Sequence, residues 1–332
     1  MTSTASAETT TTQTDDKTGS KRRPRAWESK APVLGVGDSL GAGDSYLVEG
    51  ILGDELSSAS FARVKEEVKW DVMHHRGGNV PRLVAVQGAI AEDGSYPIYR
   101  HPADESPPLL AFTPTVELIR DRVQDLVEHP LNHVLIQYYR SGKDYISEHS
   151  DKTIDVVRGS SIINVSLGAQ RVMTLREKKE MNIKDNPESQ TSGHESTPLN
   201  SRVSQRIPLP HGSMFVMGPE TNKTWLHGIN HDNRPFKVKS EEEKAEEGER
   251  ISLTFRHIGT FLTGDATKIF GQGATGKTRE EAREAVRGGD EGEKLICAFG
   301  RENHDRAFNW DEWYGKGYDV LHFKMEKMDQ KS

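Results

Sequence analysis

The chain of 332 residues carries a single cysteine, Cys297, which excludes an intramolecular disulfide and a cysteine-rich zinc site. That usage suits a reducing compartment, nucleus or cytosol. No run approaches the roughly 18 apolar residues of a membrane-spanning helix, so no membrane association is expected. The N-terminal stretch lacks the apolar segment of a secretory signal. Basic charge is not in excess either: 44 Lys and Arg stand against 51 Asp and Glu, for a net charge of -7. Nothing global marks a nucleic-acid surface, although a local basic groove depends on where charges sit rather than on their sum. Hydrophobic residues are only 33% of the chain, because polar tails and insertions dilute a normal core. Nothing points to an obligate protein partner.

What is present divides into three parts. Residues 1–31 form a polar tail whose cluster Lys21, Arg22, Arg23 and Arg25 is a nuclear-import signal, a loose phosphate contact or ordinary solvated charge. Residues 32–262 carry the folded domain, and residues 263–332 a C-terminal extension packed on it. The GxG stretch from Leu34 to Gly43 has no third glycine at dinucleotide-binding spacing and no βαβ continuation, which leaves a glycine-rich loop. Leu56, Phe61, Val64 and Val68 suggest a helix over 55–70, and PRLVAV (81–86) a strand. Thr113 and Pro114 open a helix over 114–129, with Val116, Ile119, Val123 and Val127 at helical spacing. Short β-rich segments follow at 133–139, 161–167, 171–175, 213–217 and 250–256, with polar insertions at 180–204 and 240–249. This order predicts an α+β fold with a mainly β core: a jelly roll (double-stranded β-helix) backed by N-terminal helices.

The chemistry starts at His149-Ser150-Asp151. On an extended segment, residues i and i+2 project to the same side, so one imidazole and one carboxylate can reach the same metal. A third ligand from a distant strand would complete the 2-His-1-carboxylate arrangement that leaves Fe(II) positions open. About one such triplet is expected by chance in a chain of this composition. The order of the remaining pieces gives it weight. His227 follows the strand SMFVM by a short connection, where a distal ligand belongs. In RISLTFR, alternation puts Arg250, Ser252, Thr254 and Arg256 on one face and Ile251, Leu253 and Phe255 on the other. Two inward arginines need an anion, and a dicarboxylate matches guanidinium bidentately. A surface-facing strand is the alternative for this segment alone.

Gln137 to Asp151 (QYYRSGKDYISEHSD) resembles a stretch of the AlkB family, and so do Ser160 to Arg171, Thr221 to His227 and RISLTFR, in unbroken order over roughly Val80 to Phe261. The resemblance implies an Fe(II)- and 2-oxoglutarate-dependent dioxygenase that consumes O2. His149, Asp151 and His227 would bind iron. Tyr139 and Arg250 would hold the far carboxylate of 2-oxoglutarate, and Arg256 would sit near its other end. Gln137 and Ser252 stand where the family usually has asparagine, and both remain hydrogen-bonding types.

The implied reaction is oxidative demethylation of alkylated nucleobases in DNA or RNA, in nucleus or cytoplasm. Family members that repair bases usually carry an acid two positions after the aspartate; here that position is Thr153, which cannot make the same charge-assisted contact. The same chemistry on a protein side chain or small molecule is therefore the alternative, and a scaffold without turnover a third reading. Tyr96 and Tyr99 are placed to stack on an extruded base and Arg82 to touch phosphate, or all three simply pack. Gly271 to Thr278 matches a phosphate-loop pattern literally but lacks the parallel sheet it needs. Thr278 and Glu281 are read instead as a capping box for a helix over 279–286. The aromatic residues from Phe299 to Phe323 are expected to pack on the domain or shape a substrate entrance.

Overall fold

A computed structural model describes residues 31–75, 78–102, 107–179 and 202–322. The basic cluster at 21–25, most of the 180–204 insertion and Phe323 lie outside the described residues. His133–Tyr139 is buried along its whole length, because it lies between two hydrogen-bonded neighbours and is covered on both faces. That explains why Val134, Leu135 and Ile136 run on without alternation, while Gln137 is a buried polar residue of the same strand. It sits inside an eight-stranded sheet ordered Tyr46–Val48, Ser213–Met217, Ile162–Gly168, Arg250–Arg256, His133–Tyr139, Gly78–Gly88 and Asp71–His75, with Leu109–Ala111 added beside Gly78–Gly88. Only that last pairing is parallel within this sheet. A four-stranded antiparallel sheet, ordered Ser204–Leu209, Arg171–Glu177, Trp225–Ile229 and Ile146–His149, completes the site region.

The helices Gly53–Glu67 and Pro114–Gln124 cover one face of the large sheet. Phe61, Val64, Val116, Ile119 and Val123 share a core with Ile136, Val165, Ile251, Leu253 and Phe255. A second core joins the sheets: Tyr139, Ile162, Phe215 and Met217 meet Met173, Leu175, Ile207, Trp225 and Ile229. The second helix stops at Gln124, short of the expected 129, and Thr113 does not cap it with its side chain. The cap is tertiary. Glu67, the last residue of the first helix, accepts from Thr115 N–H at 2.9 Å and from its hydroxyl at 2.6 Å, placing a carboxylate at the positive end of the helix. The acidic 240–249 run holds a short helix, Glu241–Lys244, started by a Ser240/Glu243 capping box.

Beyond residue 256, Thr260–Leu262, Lys268–Gly271 and Arg283–Glu284 form a small sheet together with the earlier strand Tyr96–Pro97. The expected helix over 279–286 is absent. Arg283 and Glu284 pair with Ile269 and Lys268, and Val286 pairs with Val320; here strand pairing overrides the helix-forming composition. Lys277 turns back and donates to the carbonyls of Gln272 at 3.0 Å and Ala274 at 2.6 Å. The phosphate-loop look-alike is therefore filled by its own lysine. Gly273 in that loop is glycine for a packing reason, since a Cβ would lie 2.6 Å from both Arg100 Nη2 and Asp155 Oδ1.

Those two atoms belong to the clamp that fastens the extension. Arg100 and Asp155 are 2.7 Å apart with side chains 3% and 0% exposed. The guanidinium also donates to the carbonyls of Tyr318 (2.6 Å), Val320 (3.2 Å) and Gly273 (2.8 Å). The helices Gly289–His304 and Trp310–Tyr314 then pack Leu295, Ala298, Phe299, Phe308 and Tyr314 around Ile154, three residues after Asp151.

Candidate functional site

The two sheets enclose a cavity of about 610 Å³ lined by Gln137, Tyr139, His149, Asp151, His227, Arg250, Ser252, Thr254 and Arg256, among others. The strand Arg250–Arg256 works as its alternation predicts. Its four polar side chains line the cavity while Ile251, Leu253 and Phe255 lie in the core on the helix side. Register sets what each meets: Arg250 is opposite Tyr139, Ser252 opposite Gln137, and Thr254 opposite Asn164.

His149 and His227 are direct partners on adjacent antiparallel strands, with ring centroids 4.3 Å apart. His227 lies within the strand Trp225–Ile229 rather than in a connection after the preceding one. Donor atoms of His149, Asp151 and His227 all lie within 4.8 Å of one another. The Ser147 carbonyl lies 2.8 Å from His149 Nδ1. A hydrogen on Nδ1 satisfies that carbonyl and leaves the Nε2 lone pair, 3.8 Å from Asp151 Oδ1, free for a metal. Burial, and next the neighbouring His227, push the His149 imidazole down to about 3. Burial likewise lowers His227. Burial works against the Asp151 carboxylate too. The Arg256 guanidinium and the two imidazoles outweigh it and hold the group well below the usual carboxylate range. The set at neutral pH is two neutral imidazoles and one carboxylate, the donor chemistry that Fe(II) takes.

Two further side chains fix Asp151. Arg256, 1% exposed, donates to Oδ2 at 2.9 Å and stacks on the Tyr99 ring at 3.9 Å. Asn222 accepts the Asp151 N–H at 2.9 Å and donates to its carbonyl at 3.0 Å. Asn222 lies in the motif ending at His227, but no periodicity marked its role.

Arg250 is 1% exposed. Nη2 donates to Ser166 Oγ at 2.7 Å and to Asn164 Oδ1 at 3.2 Å. Its Nε and Nη1 are buried without a hydrogen-bond partner among the described residues. The Tyr139 ring lies 5.2 Å beneath it. Burial pushes this guanidinium down to about 10. A buried cation with unpaired donors facing a cavity is a site waiting for an anion, and a carboxylate offers the matching fork.

The four substrate candidates separate. Tyr99 lines the cavity, and its hydroxyl accepts the Lys152 N–H at 3.0 Å. Arg82 also lines it but is 8% exposed, and donates to the Tyr145 carbonyl at 2.9 Å. The Gln137 carboxamide satisfies both its neighbours when its oxygen accepts from Arg82 Nε and Nη2 at 3.1 Å and its nitrogen donates to the Tyr139 hydroxyl at 3.2 Å. Arg82 is thus a wall residue, not an outward phosphate contact. Tyr96 packs away from the cavity with Leu262, Ile269 and Ala274. Thr153 is not part of the lining either. Its N–H donates to Glu302 Oε1 at 3.0 Å, and its hydroxyl bonds the same oxygen. Residues of the helix Gly289–His304, Phe299, Gly300, Asn303 and His304 among them, close one side of the cavity; the aromatic density from Phe299 onward suggested such a placement, but nothing in the sequence marked Gly300, Asn303 or His304.

The sequence model of the 2OG-Fe(II) oxygenase superfamily matches residues 44–256. The mouse protein named DNA oxidative demethylase ALKBH2 is 31% identical over 147 residues, 44% of this chain and 52% of that protein. Its human counterpart is 32% identical over 147 residues, 44% of this chain and 47% of that protein. The human alpha-ketoglutarate-dependent dioxygenase alkB homolog 3 is 28% identical over 178 residues, 54% of this chain and 52% of that protein. The chain thus spans about half the length of the curated relatives it matches. With the superfamily's sequence model running through every strand that bears a donor of the His-Asp-His cluster, the chain belongs to the 2OG-Fe(II) oxygenase superfamily as an AlkB-like member.

Proposed function

We propose that the protein is an Fe(II)- and 2-oxoglutarate-dependent dioxygenase that demethylates alkylated nucleobases of DNA or RNA, with residues 32–262 as a double-stranded β-helix catalytic domain and 263–332 as an extension packed on it. The observation that carries the cosubstrate assignment is Arg250, a buried guanidinium with two unpaired donors in the cavity of the His-Asp-His cluster. His149, Asp151 and His227 hold the iron. Arg250 takes the far carboxylate of 2-oxoglutarate, with Tyr139 beside it. Arg256 keeps Asp151 ionised and oriented, and Ser252 and Gln137 hold the strands' polar faces in place. When bound, iron with the cosubstrate supplies oxygen activation: 2-oxoglutarate and O2 become succinate and CO2 while a substrate C–H becomes C–OH. On an N-methyl group the hydroxymethyl product breaks its C–N bond, leaving N–H and formaldehyde.

The nucleobase substrate is supported by what the relatives' names say they act on and by Tyr99, an aromatic ring in the cavity wall. One observation favours the second reading, a protein side chain or small molecule: Thr153 is turned onto Glu302 instead of into the cavity. The test is succinate and formaldehyde release by Fe(II)-reconstituted protein, with and without single-stranded oligonucleotides carrying 1-methyladenine or 3-methylcytosine. Stimulation of both products, lost in His149→Ala, is the expected result. Succinate formation indifferent to the oligonucleotides moves the substrate to the second class. No turnover of 2-oxoglutarate overturns the proposal.

A further inference from the structure

The helix Gly289–His304 lies beyond the residues matched by the family, yet one of its faces closes the cavity: Ile296, Phe299, Gly300, Asn303 and His304 repeat at helical spacing and all line it. From that face Asn303 reaches the peptide that joins two iron ligands, and the backbone of the adjacent Glu302 meets it too. Ser150, 1% exposed between His149 and Asp151, donates its N–H to Asn303 Oδ1 at 2.9 Å and its hydroxyl to the Glu302 carbonyl at 3.3 Å. Lys152 Nζ donates to the Ser150 carbonyl at 2.8 Å and to Asn303 Oδ1 at 3.4 Å. The linking residue is therefore gripped at its N–H by Asn303 and at its carbonyl by a lysine that Asn303 also holds.

Gly300 stands out for the opposite reason. Nothing lies within 4 Å of where its Cβ would be, and it is not among the glycines with left-handed backbone. Glycine weakens a helix interior, and neither packing nor backbone conformation here requires it. What its missing side chain leaves is open space on the cavity wall.

We propose that, on the dioxygenase reading above, this helix is part of the active site: Asn303 is a positioning residue for the His149–Asp151 segment, and Gly300 keeps the opening wide enough for a substrate the size of a nucleobase. Loss of the Asn303 acceptor frees the linking peptide, and the two ligands with it. A bulky residue at 300 obstructs the wall without touching the ligands.

The test uses the full chain, with anaerobic Fe(II) titration followed by the charge-transfer absorption of the Fe(II)–2-oxoglutarate complex, and thermal midpoints of metal-free protein alongside. Asn303→Ala is expected to weaken Fe(II) binding about 10–100-fold, the usual effect of losing a residue that orients ligands. Asn303→Asp keeps an acceptor and recovers most of that affinity, and Lys294→Ala on the exposed side of the helix changes nothing. A lowered thermal midpoint with Fe(II) affinity unchanged in Asn303→Ala makes the contact merely structural and overturns the positioning role. Gly300→Phe is expected to keep Fe(II) affinity and to lose stimulation by a 1-methyladenine oligonucleotide. Full stimulation in that variant overturns the role of Gly300. If the wild type binds Fe(II) but no methylated oligonucleotide stimulates it, the nucleobase reading falls and the Gly300 assignment with it. The Asn303 assignment is decided by Fe(II) affinity alone. A wild type that binds no Fe(II) overturns the dioxygenase reading itself.

Discussion

Replacing Arg250 by methionine separates binding from stability, because the first is expected to be lost while the second stays close to wild type. In the absence of an anion, Arg250 is a buried cation with Nε and Nη1 unpaired. Replacing buried charge with an apolar side chain of similar length is often neutral or stabilising by about 1–4 kcal/mol. Against this, the bonds to Ser166 and Asn164 are lost, at about 1 kcal/mol for a typical hydrogen bond. The balance for the ligand-free protein lies between about -2 and +2 kcal/mol. Ligand response, by contrast, should be lost altogether. A ligand at 100 times its Kd stabilises by about 2.7 kcal/mol, which for a chain of this size raises Tm by roughly 4–5 °C. Thermal melts of wild type and Arg250→Met with anaerobic Fe(II), with and without 2-oxoglutarate, read both quantities. Wild type should show the shift. The variant should stay within about 2 kcal/mol of wild type without ligand and show no shift with it. A variant that loses several kcal/mol without ligand, or that keeps the ligand shift, refutes the argument that Arg250 is held in readiness for an anion.

Other outcomes follow from the clamp and from the buried histidines. Asp155→Ala strips Arg100 of its carboxylate where both side chains are almost wholly buried; breaking such a pair costs about 3–5 kcal/mol. Urea unfolding should show that loss, with proteolysis falling first in the 289–322 region, and an unchanged midpoint would rule out the clamp. Burial, and then the nearby Arg256 charge, push His101 down to about 4 and His133 well below its ordinary value. These imidazoles stay neutral in the fold, while those of the unfolded chain take up protons below about pH 6.5. The unfolded state then binds more protons, so metal-free stability falls as pH drops from there towards 4. Urea midpoints at stepped pH should trace that fall, and a slope that is no shallower in His133→Gln would remove His133 from the account.

The parts of the site legible in the sequence are those carried by strand alternation. RISLTFR announced an inward polar face, and the structure delivers it because both neighbouring strands lock its register. The donor spacing of His149 and Asp151 was legible from i, i+2 geometry on extended backbone, although the strand itself ends at His149. What escaped was set by contacts distant in sequence. Asn303 meets Ser150 across 153 residues, and Thr153 is drawn to Glu302 from across 149, which no local pattern encodes. Arg82 was open between phosphate contact and packing because its partner, the Tyr145 carbonyl, lies 63 residues on. The helix expected at 279–286 failed because its composition favours helix while its neighbours offer strand edges. The capping of the second helix by Glu67 is likewise a tertiary event that Thr113 alone suggested wrongly.

The cross-strand pairing of His149 with His227 has a consequence for folding order. His149 ends a four-residue strand at the margin of its sheet, paired on one side only, and the register shifts between His227 and Ile229. Short margins are where sheets fray and slip, and a slip of one residue turns a side chain to the opposite face. Only the native alignment brings both imidazoles to one point, so on the proposed reading a bound ion would act as a proofreader of strand alignment. Its removal would then unfasten this margin, and backbone amides near Ile146–His149 are expected to exchange faster with solvent in metal-free than in Fe(II)-loaded protein.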